Sequence, residues 1–226
     1  RVDRRQRQMC IRDRNNIMLM QQVLDYVFLN AERHNPKSIL QTIDKFVVES
    51  GEFLMNVGPE KGAILRDSLL KCKSRNVIEL GTFIGYSAVL IASIISKESQ
   101  LTSIDSDINS IKTAKELLKY AGLDKKVNLV HGSAEEVIPK LDFQADFIFI
   151  DHAKKKYFSD LQTMEAEGII TQGCTVFADN VGIFKEDMQE YFDHVRNSGQ
   201  YKSQNFSSKL EYRNNIYDAV EISIKN

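Results

Sequence analysis

The chain has 226 residues, 42% of them hydrophobic and 27% charged, with a net charge of −1. That length suits one large α/β domain with a substantial core, and the composition is that of an ordinary soluble globular protein. The near-neutral charge points away from a nucleic-acid partner, and no run is apolar enough to span a membrane.

Cys10, Cys72 and Cys174 have no metal-type spacing, which fits a reducing, cytoplasmic setting better than a disulfide framework. Residues 1–14 hold six arginines and show no apolar period. They read either as a disordered basic tail or as non-native sequence, since Met9-Cys10-Ile11-Arg12-Asp13-Arg14 resembles a translated sequencing adapter. On the second reading the tail is set aside, an anchor or signal upstream is left open, and residues 15–226 form the domain.

In chain order, apolar residues at 17, 20, 24, 27 and 28 have helical spacing. A second helix starts at Pro36, with Ile39, Leu40, Ile43, Phe46 and Val47 on one face. A third follows Gly58-Pro59. Strands and helices then alternate: strand 76–80, helix 87–96, strand 101–104, helix 108–118 closed by Gly122, strand 127–130, helix 133–141, strand 146–150, helix 157–167, strand 175–178 and helix 185–196. Repeated strand–helix units predict a parallel sheet with right-handed crossovers. Residues 201–207 and 219–224 read as an antiparallel hairpin completing it.

Two apolar runs end in acid. Asp146–Ile150 runs into Asp151, and Cys174–Ala178 runs into Asp179 and Asn180. Ligands of an open parallel sheet bind beyond the carboxyl ends of its strands. Two carboxylates and a carboxamide there are hard oxygen donors, suited to magnesium or calcium and a metal-assisted reaction. Lys154 follows Asp151 by three residues and can reach the same site, where a dication would favour its neutral, basic form. Lys155 and Lys156 read as a solvated turn.

The turn Glu79-Leu80-Gly81-Thr82-Phe83-Ile84-Gly85 has G-x-x-x-G spacing, with Phe83 where a dinucleotide site would want glycine. This argues against a bound pyrophosphate. The turn resembles the first motif of S-adenosylmethionine-dependent methyltransferases, though a tight structural turn accounts for it equally well. Asp105 lies 24 residues beyond Gly81, placed to accept ribose hydroxyls. Capping of the next helix is the competing role, and Asp107 suits it better.

Taken together, Met55-Asn56-Val57-Gly58, Glu79-Leu80-Gly81 through Val89, Asp151-His152-x-Lys154 with Tyr157, Ala178-Asp179-Asn180-Val181 and Leu210-Glu211-Tyr212-Arg213 resemble the catechol O-methyltransferases, in order, over residues 17–224. The resemblance implies a Rossmann-like methyltransferase fold, with a mostly parallel seven-stranded sheet and N-terminal helices. It implies S-adenosylmethionine and Mg²⁺ as cofactors, a small-molecule catechol as substrate, and a monomer.

By the same resemblance, Asp151, Asp179 and Asn180 hold the metal and Lys154 is the general base. Glu211 accepts from the second hydroxyl, beside Asn180. Met55, Val57, Glu79, Gly81, Phe83, Gly85, Ser87, Asp105 and Ser106 take the cofactor, with Ala134, Glu135, Asp151 and His152 near its adenosine. Phe53 and Phe184 wall the substrate, where the family has tryptophan and proline. Ala153 replaces the tryptophan that packs on adenine, implying weaker cofactor affinity.

A Mg-dependent O-methyltransferase of the caffeoyl-CoA or flavonoid type is the alternative, as is a non-catalytic cofactor-binding protein. The first helices offer few basic residues for CoA, and a dead copy has no need of the complete set of site residues.

Overall fold

The structure is a computed structural model, and it describes the backbone from residue 4 and the side chains from residue 15. The expectation that residues 1–14 form a separate tail falls outside the described side chains. Helix α1 (Arg4–Asn30) begins upstream of the expected start.

Helix α2 (Pro36–Ser50) shows how local sequence sets the boundaries. Asn35 Oδ1 accepts from the Ser38 amide at 3.1 Å, proline opens the first turn, and left-handed Gly51 closes the last. Its buried stripe of Ile39, Ile43, Phe46 and Val47 repeats at three and four residues. Helix α3 (Gly58–Cys72) follows.

The sheet comprises β1 (Asn76–Leu80), β2 (Gln100–Asp105), β3 (Val127–His131), β4 (Ala145–Ile150), β5 (Ile170–Ala178), β6 (Tyr201–Leu210) and β7 (Arg213–Lys225). Between them run α4 (Tyr86–Ile94), α5 (Ile108–Ala121), α6 (Ala134–Val137), α7 (Tyr157–Ala166) and α8 (Gln189–Asn197). Its order is β3-β2-β1-β4-β5-β7-β6. The first five strands are parallel, and β7 pairs antiparallel with both β5 and β6.

Both faces of the sheet are covered. Val77, Phe147, Phe149 and Phe177 face the layer of α1 to α5, while Ile78, Ile148, Ile150 and Val176 face α7 and α8. The period of two along each strand sends alternate residues to opposite cores, which is why β4 is apolar along its length after Asp146. Each fully buried side chain of this size contributes roughly 1.5–3 kcal/mol. Strand order reverses between β1 and β4, so a crevice opens at their carboxyl ends. Among the described residues, no helix is long and apolar enough to cross a membrane.

Candidate active site

Asp105, Gly81, Asp151 and Asp179 end or follow β2, β1, β4 and β5, which are neighbours in the sheet. Backbone hydrogen bonds extend each pairing past the strand end: Gly81 N–H to Ile104 O (2.9 Å), Asp151 N–H to Leu80 O (2.8 Å) and Asp179 N–H to Ile150 O (3.0 Å). Strands lie about 4.8 Å apart, so the predicted residues stand in a row along one edge. Gly81, at φ +100°, is held to glycine by protein as well: a Cβ there would sit 2.0 Å from the Asp151 carbonyl oxygen.

On the β2 side of the row lies a cleft of about 350 Å³. Gly81, Phe83, Asp105, Ser106, Ala134 and Glu135 line it, and Asp151 and His152 form its other wall. The remaining expected cofactor residues do not line it. Met55 is exposed on the loop before α3, Val57 is packed in the core, Gly85 caps α4 against Ala114, and Glu79 and Ser87 are buried.

Asp105 serves the protein on both oxygens. Oδ2 accepts from the Thr82 and Phe83 amides, each at 2.9 Å, and Oδ1 accepts from the Asp107 amide at 2.8 Å. Asp107 is the cap of α5, accepting from the Asn109 amide at 2.9 Å. Asp105 therefore shapes the glycine turn, and a carboxylate with about four acceptor positions can also take a ligand hydroxyl. Beneath the turn, Glu79 accepts from Ser103 Oγ, while its Oε1 is buried without a partner. Burial pushes this carboxyl up to about 8.

His152 Nε2 lies 2.8 Å from Asp160 Oδ2, which fixes the ring at the cleft wall. Ala153 is exposed at the mouth, where Lys156 and Glu135 approach to 3.3 Å. Lys155 is largely exposed, as expected, and lies 3.5 Å from Asp187.

The β4–β5 end is drier. Lys154 Nζ donates to Asp151 Oδ1 and to the Tyr157 hydroxyl, both at 2.8 Å, and lies 5.9 Å from the centre of the Phe184 ring. Across the strand ends, Phe53 sits under the Arg213 guanidinium, 5.7 Å away. Asp179 and Asn180 are completely buried.

Two residues that sequence reasoning missed stand behind them, Lys61 of α3 and Asp218 of β7. Lys61 Nζ reaches Asp179 Oδ1 at 2.6 Å, Asp218 Oδ2 at 2.8 Å, and Glu211 Oε1. Burial alone would lower the Lys61 ammonium, but three surrounding carboxylates outweigh it and hold it above the usual lysine range. Burial pushes Asp179 up to about 8 against the pull of Lys61, and it also raises Glu211.

The fit to a metal can be tested on the oxygens left over. Asp179 Oδ2, Asn180 Oδ1 and Glu211 Oε2 are all buried with no hydrogen-bond partner. Unpaired buried oxygens are costly in a protein interior, and hard oxygen donors are what magnesium takes. The free oxygens of Asp179 and Asn180 fit such an ion; among the described residues the acids within metal-ligand reach of one another are Asp179, Glu211 and Asp218, while Asp151, the third expected ligand, stands outside that group with Oδ1 engaged by Lys154.

A doubly wound parallel sheet with an antiparallel hairpin edge, and a crevice where strand order reverses, defines a Rossmann-like α/β fold. The chain belongs to the O-methyltransferase family, whose model matches residues 28–216. It is similar to catechol O-methyltransferase B of Danio rerio, at 35% identity over 90% of this chain and 78% of that protein. It is also similar to catechol O-methyltransferase of Bos taurus, at 30% identity over 89% and 74%. Among solved structures, the O-methyltransferase TomG of Streptomyces achromogenes, in complex with SAM, superposes with a TM-score of 0.72 at 19% identity, covering 83% of this chain and 89% of that one.

Proposed function

We propose that the protein transfers a methyl group from S-adenosylmethionine to one hydroxyl of a catechol, with magnesium held by Asp151, Asp179 and Asn180. The carrying observation is the set of buried, unpartnered oxygens on Asp179, Asn180 and Glu211, beside a lysine anchored at the β4 end. The two similar vertebrate enzymes are named for catechols, and the TomG structure holds SAM, which supports the same reading.

When bound, magnesium supplies charge that acidifies and orients adjacent ring hydroxyls, and S-adenosylmethionine supplies an electrophilic methyl group. The chain's own residues do the rest. Lys154 takes the proton from the attacking hydroxyl at its Nζ, held by Asp151 and Tyr157. Glu211 Oε2 accepts from the second hydroxyl, so a substrate with a single hydroxyl leaves a buried acceptor unpaired. The cleft under Phe83 and Asp105 takes the adenosine end and brings the methyl donor to the metal side. Holding the reactants aligned can contribute roughly 7–11 kcal/mol. Phe53 and Phe184 flank the aromatic ring. The sparse cysteines, with Cys72 and Cys174 as free thiols, support a reducing, cytoplasmic setting.

The test is to incubate the protein with S-adenosylmethionine, magnesium and a panel of catechols, with and without chelator. Chelator-sensitive methylation of vicinal diols, and none of the matching monophenols, is expected. No transfer to any member of the panel would remove the reading.

A further inference from the structure

Each of the three site groups with a free oxygen is held by its other atom, and in every case one of the holders is Lys61 or Asp218. Asp179 Oδ1 takes Lys61 and the Asn180 amide (2.7 Å), leaving Oδ2. Glu211 Oε1 takes Lys61 and Asn180 Nδ2 (3.1 Å), leaving Oε2. Asn180 Nδ2 donates to Glu211 and to Asp218 Oδ2 (2.9 Å), leaving Oδ1.

Asp218 does more than accept this amide. Its Oδ1 takes the backbone N–H groups of Gly182 (3.1 Å) and Ile183 (3.2 Å), tying down the loop that follows the site. Gly182 is needed for the approach, since a Cβ there would lie 2.6 Å from the Asp218 carbonyl carbon and the Ala219 nitrogen. Asn180 itself sits at φ +54°, a conformation that asparagine tolerates and that the clamp keeps.

We infer that Lys61 and Asp218 are positioning residues, a buried ion pair that turns the free oxygens of Asp179, Asn180 and Glu211 toward the metal and substrate before either binds. The inference rests on the metal reading above. Lys61 supplies a fixed positive charge to one oxygen of each carboxylate, so three acids can share the pocket with the second oxygens of Asp179 and Glu211 unspent. Asp218 fixes the amide of Asn180 nitrogen-inward, because only an acceptor fits on that side. Fixed ligand orientation of this kind is worth about ten- to a hundredfold in metal affinity.

Asp218→Asn is the decisive variant. All four contacts on the two Asp218 oxygens are donors. An amide at position 218 must therefore set an NH₂ against two of them, either Lys61 and the Asn180 amide or the Gly182 and Ile183 amides of the loop. Mn²⁺ uptake is read by electron paramagnetic resonance, without cofactor or substrate. S-adenosylhomocysteine affinity is read by calorimetry, and folding by thermal melting. A folded Asp218→Asn protein is expected to bind Mn²⁺ about tenfold or more weakly with unchanged S-adenosylhomocysteine affinity. Mn²⁺ binding equal to wild type in that protein would overturn the inference alone. If the wild-type chain takes up no Mn²⁺, the metal reading falls and this inference with it.

Should Asp218→Asn fail to fold, the wild-type chain labelled with ¹⁵N-asparagine answers the same question. The Asn180 side-chain NH₂ is expected to give one slowly exchanging pair of resonances in the metal-free protein, kept on adding Mg²⁺. Two sets, or rapid exchange until Mg²⁺ is added, would overturn preorganisation.

Discussion

The hydroxyl of Tyr157 accepts from Lys154 Nζ at 2.8 Å while sitting 2.9 Å from the Ile150 carbonyl and 3.1 Å from that of Asp179. One buried phenol thus ties the lysine to the ends of both β4 and β5. Its proton goes to a carbonyl, so a lone pair faces the lysine nitrogen. Tyr157→Phe removes this anchor and leaves Lys154 held by Asp151 alone. A hydrogen bond to a charged group is worth about 1.5–3 kcal/mol. Turnover is expected to fall roughly 10- to 100-fold, with catechol KM little changed. Steady-state kinetics at saturating cofactor check this, and unchanged turnover would show that Lys154 needs no such anchor.

Lys154 and Lys155 are adjacent and differ only in surroundings. The first side chain is almost buried against Asp151, and the second is largely exposed. Lys154→Ala is expected to lower turnover by roughly 10²–10⁴, the usual worth of a general base. Lys155→Ala is expected to stay within about twofold, because exposed ion pairs contribute little. Equal losses would remove Lys154 from the chemistry.

Glu79 gives a pH dependence with a definite sign. Its carboxyl titrates near 8 when folded because burial disfavours the charge. Its contribution to stability is therefore present below the ordinary glutamate range and lost as pH rises through about 8. Ligand binding runs the other way. On the proposal that a cationic group of the cofactor is set against Glu79, binding favours the carboxylate. Affinity for S-adenosylmethionine should therefore rise by roughly 10- to 30-fold between about pH 6.5 and 8.5 and then level off. Glu79→Gln should bind weakly with no such slope. Calorimetric titrations across that range decide it, and a flat wild-type profile would place the cofactor's cation elsewhere.

The alternation of strands and helices was legible because doubly covered parallel strands are unbroken apolar runs. It failed where strands leave the core. β7 begins at Arg213, six residues before its expected start, since its first five residues are exposed: Arg213 pairs with Leu210, Tyr217 pairs with Lys209, and the register shifts between the two pairs. β5 begins at Ile170, because Thr171, Gln172 and Gly173, the last two exposed, separate the buried Ile170 from the apolar run that marks the strand. The expected helix over 133–141 is a single α-turn followed by a 3₁₀ turn over Ile138–Lys140, the turn that contains Pro139.

The acids at the strand ends were legible from topology alone. Lys61 left a faint signal: it shares the buried face of α3 with Gly58, Gly62, Leu65 and Leu69, a charge on an apolar stripe. Asp218 left less, because its partner Lys61 is 157 residues away and only the folded sheet brings them together.

Ala153 offers a gain-of-function test. It is exposed at the mouth of the cleft, where the resemblance leads one to expect tryptophan. The pair of Lys156 and Glu135, both largely exposed, meets there. Such a pair contributes about 0–1 kcal/mol, so displacing it costs little. An indole at this position would cover the adenine face, and an aromatic pair is worth about 0.5–1.5 kcal/mol beyond area burial. Ala153→Trp is therefore expected to tighten S-adenosylhomocysteine binding roughly 3- to 10-fold, read by calorimetry. Catechol KM should be unaffected, because Phe53 and Phe184, the proposed walls of the substrate site, lie on other segments. Turnover should stay the same or fall, since a more tightly held product leaves more slowly. Unchanged cofactor affinity in a folded variant would mean that the adenine does not lie against residue 153.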